Sequence, residues 1–321
     1  MLEAAVKHMA GLAYVQQIID AAMVEAMLLE QLKHVACLTA LIQLPAAAHL
    51  SSEAIIKLLL AAAAMHALST VHVHVLSQMP AAQQLDSAAV LQLLQAAMQQ
   101  GSSRCVIRLF CKLPAAQQLS SGEVFQLLQA VVQHEDAVHA HYVPCLVQYL
   151  CKLPAAQQLS RGEVFQLLQA AVQDEDAVHA HYVPCVVQYL CKLPAAQQLS
   201  SGEVFQLLQA AVQHEDAVHA HYVPRLVQYM CELPAAQQLD RQAVLHLLQA
   251  SLLRGMHQVT HLLCTLLAAQ GLDRQTVLQL LQAAVQHAVS SSMHSVAGLC
   301  SIPAEQQLTS QDVLQLLEAA V

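Results

Sequence analysis

The chain has 321 residues, enough for two ordinary domains or one long repeat array. With 56% hydrophobic and 11% charged residues it is too apolar to be disordered, and with no Trp and four Phe its core must come from Leu, Ala, Val and Cys. A net charge of −9, with 13 basic residues thinly spread, leaves no Lys/Arg cluster to follow a phosphate backbone, which argues against nucleic acid.

The amino terminus carries Glu3 and no basic stretch ahead of its apolar residues, so neither a signal nor a transit peptide is read there. A cytoplasmic or nuclear protein is the expectation. Leu2-Glu3-Ala4-Ala5-Val6 matches Leu317-Glu318-Ala319-Ala320-Val321, so the chain is expected to begin and stop in mid-repeat. It would then be a piece of a longer array, or have an open end that meets something. The most apolar run, Ile55 to Leu76, contains Lys57, His66, His72 and His74, and its longest uncharged part is mostly alanine. It predicts a buried helix pair and no membrane span.

A proline-anchored motif recurs at Pro45, Pro80, Pro114, Pro154, Pro194, Pro234 and Pro303, with Leu267 in the proline's place in a worn copy. The spacings run from about 33 to about 40 residues, the range of two-helix repeats that stack into solenoids. The predicted organisation is a single array over 1–321. The segment 1–44 forms a degenerate first repeat, 45–113 two repeats and 114–233 three near-identical long copies; 234–302 hold two divergent repeats and 303–321 a partial last one.

Each copy carries helix-start chemistry. Ser120 with Glu123 makes a capping box, and Leu119 with Val124 a hydrophobic staple. The same phase returns at Asp86, Asp240, Asp273 and Thr309. Helix A then runs from Val124 with glutamines at 126, 129 and 133, one narrow stripe on an apolar rod. Helix B, ending near Pro154, is expected to bury Cys145, Leu146, Tyr149, Leu150 and Leu153, with Gln148 and Lys152 opposite. The tyrosines at 149, 189 and 229 are expected in the core with hydroxyls near its edge. Pro144 suits the first turn of helix B. The extra residues of the three long copies fall between the helices, as a longer loop or, the favoured reading, an extension of helix A.

Ala96 to Phe110, "AAMQQGSSRCVIRLF", resembles the ankyrin pattern: two alanines, a glycine turn and a second helix of aliphatic pairs, with Gly101 and Gly255 at the turn. The ankyrin Thr-Pro-Leu-His opening is missing, and the proline-alanine-glutamine link stands in the hairpin's place. The resemblance implies an ankyrin-like or related α-solenoid that binds proteins, and it transfers no catalytic or binding residue.

Several residue types invite chemistry. The segment "HEDAVHAH" at 134–141 and its copies at 174–181 and 214–221 mix imidazoles with carboxylates, both of them metal-ligand types. His139 and His141, two apart on a helix, would point to different sides, and Asp174 replaces His134, so a polar inter-helix segment is the simpler reading. Six cysteines (111, 151, 191, 231, 264, 300) stand three residues before the proline position, and 105, 145 and 185 stand nine before it. They read as small core residues of a reducing compartment. The serines at 120, 160 and 200 are caps, without a nucleophile elbow or a phosphate loop anywhere. No catalytic residue, cofactor or metal site is expected.

The glutamines at 92, 95, 126, 129, 166, 169, 206, 209, 279 and 282 occupy two matching positions on successive helices A. A solvated neutral face would explain Gln92, Gln95, Gln126, Gln129 and the rest; so would a surface for an extended partner. The expectation is an all-α fold, an α-solenoid of stacked two-helix repeats of roughly 33–40 residues. Its expected function is a non-enzymatic scaffold binding a protein partner through that face. An RNA-binding helical-repeat protein is the alternative, and a His-rich metal-binding array ranks third.

Overall fold

A helix cannot start cheaply without partners for its first N–H groups, and every described helix A starts where the sequence supplies one. In the computed structural model, which describes residues 50–63, 69–99, 104–133, 143–173, 182–213, 222–286, 293–303 and 308–319, the Ala54 N–H donates to Ser51 Oγ (3.1 Å) and the Ala89 N–H to Asp86 Oδ1 (2.8 Å). The capping boxes close in both directions. Ser120, Ser160 and Ser200 each donate the backbone N–H to the glutamate three residues on at 2.7 Å, and accept that glutamate's own N–H at 3.3 Å. Asp240 and Asp273 cap in one direction, accepting the N–H groups of Ala243 and Thr276 at 2.7 and 3.0 Å.

The helices A are α1 (Ser52–Ala63), α3 (Ser87–Gln99), α5 (Ser121–Val132), α7 (Arg161–Gln173), α9 (Ser201–Gln213), α11 (Arg241–Leu253), α13 (Arg274–Gln286) and α15 (Ser310–Ala319). The helices B are α2 (Ser69–Ser77), α4 (Arg104–Phe110), α6 (Val143–Leu150), α8 (Val183–Cys191), α10 (Val223–Cys231), α12 (His257–Cys264) and α14 (Met293–Leu299). All regular structure among the described residues is helical. The apolar run at 55–76 resolves into α1 packed on α2, and no helix among the described residues is long and apolar enough to cross a membrane.

The proline-alanine-glutamine link is itself ordered. Pro80–Gln83, Pro114–Gln118, Ala156–Gln158, Ala196–Gln198, Ala236–Gln238 and Leu267–Gln270 each form a single helical turn. Its alanines point inward; Ala116, Ala156, Ala196 and Ala236 are at most 1% exposed. Its first glutamine reaches back to the end of helix B, whose last carbonyls lack helical donors. The side-chain amides of Gln117, Gln157, Gln197 and Gln237 donate to the carbonyls of Cys111, Cys151, Cys191 and Cys231, at 2.9, 2.7, 2.8 and 3.3 Å. Gln270 does the same for Cys264 at 2.6 Å.

The described helices α1 to α6 belong to one compact unit and α7 to α15 to a second. In the first, α1 packs on α2 and α3, α3 on α4, and α4 on α2 and α6. In the second, α7, α9, α11, α13 and α15 pack in sequence, each on the next, and so do α8, α10, α12 and α14. Here each helix A from α7 to α13 also packs on its own helix B. Helix A buries positions spaced i, i+3, i+4 and i+7, as with Val204, Leu207, Leu208 and Ala211, all at most 1% exposed. At Gly298 a Cβ would lie 2.8 Å from the Cα of His261, so only glycine allows α14 to come this close to α12. Gly255, at φ 66°, turns the chain between α11 and α12 in the left-handed region that glycine adopts without a Cβ clash. Gly101 lies outside the described residues.

Helix B departs from the predicted face. Leu146, Val147, Leu150 and Cys151 are buried, whereas Cys145 and Tyr149 are only half-buried, because the buried stripe is centred one position later than the residue types suggested. Tyr149 and Tyr189 lie at the boundary, with Lys152 and Lys192 ammonium groups 5.6 and 5.7 Å from their ring centres. Tyr229 is half-buried as well. Pro184 and Pro224 do stand in the first turn of their helices. The inter-helix insertions lie outside the described residues.

Candidate functional site

The glutamine stripe is placed by the heptad-like burial of helix A. With Val, Leu, Leu and Ala or Val turned inward, the residues at 92, 126, 166, 206 and 279 are left outside, and all five glutamines are exposed. The second row is mixed: Gln95 is exposed, while Gln129, Gln169, Gln209 and Gln282 are half-buried between helices. The row is broken at α11, where His246 takes the position of Gln206.

The start of helix A forms a carboxylate edge next to this stripe. The Ser120 backbone N–H, then its hydroxyl, hold Glu123 below the usual carboxylate range. Partial desolvation of Glu203 pushes the other way but is outweighed by the Ser200 N–H and hydroxyl and by Arg161, so its pKa too is lowered. Arg161 reaches from α7 to Glu203 on α9 (3.4 Å), and Arg274 reaches from α13 to Asp312 on α15. Both span from the first residue of one helix A to the third of the next, an inter-repeat tie that sequence reading missed.

The second unit contains an open groove of about 490 Å³ between α9 and α11. Gly202, Phe205 and Gln209 line one side, and Asp240, Gln242 and His246 the other. The Phe205 and His246 rings stand 6.0 Å apart, tilted by 57°. This site was also missed. The signal was present as a departure between copies: Ser200, Gly202 and Gln206 correspond in register to Asp240, Gln242 and His246.

The cysteines divide by environment. Cys111, Cys151, Cys191, Cys231 and Cys264 are buried, and desolvation raises their thiols from 9.0 to about 12. Cys105, Cys145 and Cys185 are half-buried. Cys300 is exposed, which corrects its assignment to the core: it stands just past Leu299, the last residue of α14, and off that helix's packed face. The three histidine segments lie outside the described residues, and among the described ones no group of three His, Cys, Asp or Glu is placed to hold a metal ion. No protein-family model, curated protein sequence or solved structure matches this chain.

Proposed function

We propose that the chain is an α-solenoid of stacked two-helix repeats and acts as a non-enzymatic scaffold, binding a protein partner along the face of helix A glutamines. The observation that carries this reading is the pairing of two regularities in the second unit. Each helix A packs on the next, and Gln166, Gln206 and Gln279 remain exposed at the matching position of α7, α9 and α13, with an exposed His246 at that position of α11. A quasi-one-dimensional array turns one exposed position into a row, which suits an extended partner. Amides both donate and accept, so they pair with a partner backbone without carrying charge.

The test replaces Gln92, Gln126, Gln166, Gln206 and Gln279 together with Glu. These exposed sites leave stability nearly unchanged, within about 0.5 kcal/mol each. The full chain should recover a protein partner that the variant loses, at an equal melting temperature. Unaltered recovery removes this face from the reading, and tight, salt-sensitive capture of mixed RNA in its place would overturn the protein partner.

A further inference from the structure

We infer that the groove between α9 and α11 seats one arginine side chain from an extended segment of the protein partner. This rests on the scaffold reading and assigns the chemistry that one part of it selects. The groove has a single formal charge among its lining residues, the Asp240 carboxylate, and no lysine or arginine. Asp240 Oδ1 already accepts the Ala243 N–H at 2.7 Å as the helix cap; its Oδ2 receives no hydrogen bond among the described residues. The two nearby cations are held elsewhere. The Arg241 guanidinium lies against Gly271, 3.2 Å from where a Cβ would stand, and Arg161 pairs with Glu203.

The other walls narrow the occupant. An apolar plug would strip water from the Gln209 and Gln242 amides and from Asp240 while offering them no hydrogen bonds. An anion would face Asp240. A guanidinium has a flat face for the Phe205 ring and a fork of donors for a carboxylate and amide oxygens. Lysine supplies charge without the plane. Gly202 leaves room for that plane, since a Cβ there would meet nothing within 4 Å. In register, the carboxylate and the amide of this copy recur in the next as Asp273 and Gln275, whereas His246 stands where the copies on either side have Gln206 and Gln279, which sets an imidazole opposite Phe205 in this groove.

The experiment uses the full chain labelled with nitrogen-15 and three blocked tripeptides, acetyl-Ala-X-Ala-amide with X as arginine, lysine or citrulline. The arginine tripeptide should shift the amide signals of Gly202, Phe205 and His246 saturably. Citrulline, which keeps the shape and loses the charge, should bind about tenfold more weakly, with lysine between. Asp240→Asn keeps a good helix cap, so the fold survives, and should weaken arginine binding about fivefold. Equal binding of citrulline and arginine overturns the assignment, as does an Asp240→Asn variant that binds like the parent. Loss of partner recovery in the glutamine variant, without arginine binding here, overturns the groove alone. Arginine binding without any recovered partner leaves the seat standing and overturns the scaffold.

Discussion

Each of the five buried thiols sits three residues before the proline position, where helix B ends under the next single turn. Burial there costs the thiolate its water, so deprotonation moves from 9.0 to about 12. The unfolded chain then sheds these protons first as the pH rises. Stability is unaffected below about pH 9 and falls from there towards 12, by up to about 1.4 kcal/mol per pH unit for each thiol. The urea midpoint should therefore drop steeply from about pH 9 to about pH 10.5, and a flat midpoint would contradict the burial. In the folded chain at pH 8, iodoacetamide should label Cys300 well before Cys111, Cys151, Cys191, Cys231 or Cys264, as read by peptide mass spectrometry. Glycine supplies the second residue-scale prediction. Gly202 lies in the first turn of α9 with open space around its Cβ position, so neither packing nor conformation calls for it. Gly202→Ala should stabilise by about 0.5–1 kcal/mol through the lower entropy of the unfolded chain; a lower melting temperature would show that the added methyl meets something.

The element that sequence reading described least well is the single turn after helix B. Caps at Ser120 and Asp240 were legible because a side chain and its N–H lie three residues apart on one stretch of chain. The buried i, i+3, i+4 pattern of helix A was legible for the same local reason. Gln117 and its equivalents pair with a carbonyl six residues back, across a bend whose geometry depends on the tertiary packing of the alanines between. The groove needed two helices from successive repeats, and only the structure brings Phe205 to His246. The worn turn at Leu267 tests this element directly. Leu267 has an N–H where the other copies have proline, and Gln237 Oε1 accepts it at 3.3 Å. Its side chain is 66% exposed, and the preceding residue, at φ −69° and ψ 145°, matches Leu113 before Pro114 at −60° and 141°. That extended backbone is what a following proline requires. Leu267→Pro should therefore stabilise by about 0.4–1 kcal/mol despite the lost long hydrogen bond. A destabilised variant in urea titration would mean that the Gln237 contact outweighs the entropy.

At the scale of the molecule, the proposed solenoid makes a demand on neighbours that no single helix meets. Helix A is apolar on every side except its glutamine stripe, so it needs neighbours both before and after it, and a row is the simplest way to provide them. In the second unit the helices A from α7 to α15 pack each on the next, and at 8–10 Å per step that row spans roughly 32–40 Å. The same spacing bears on binding. An extended partner advances about 3.3 Å per residue, so it would pass roughly three residues over each repeat. A segment of about twelve residues should therefore reach from α7 to α15, and a partner fragment half as long that bound equally well would contradict a row.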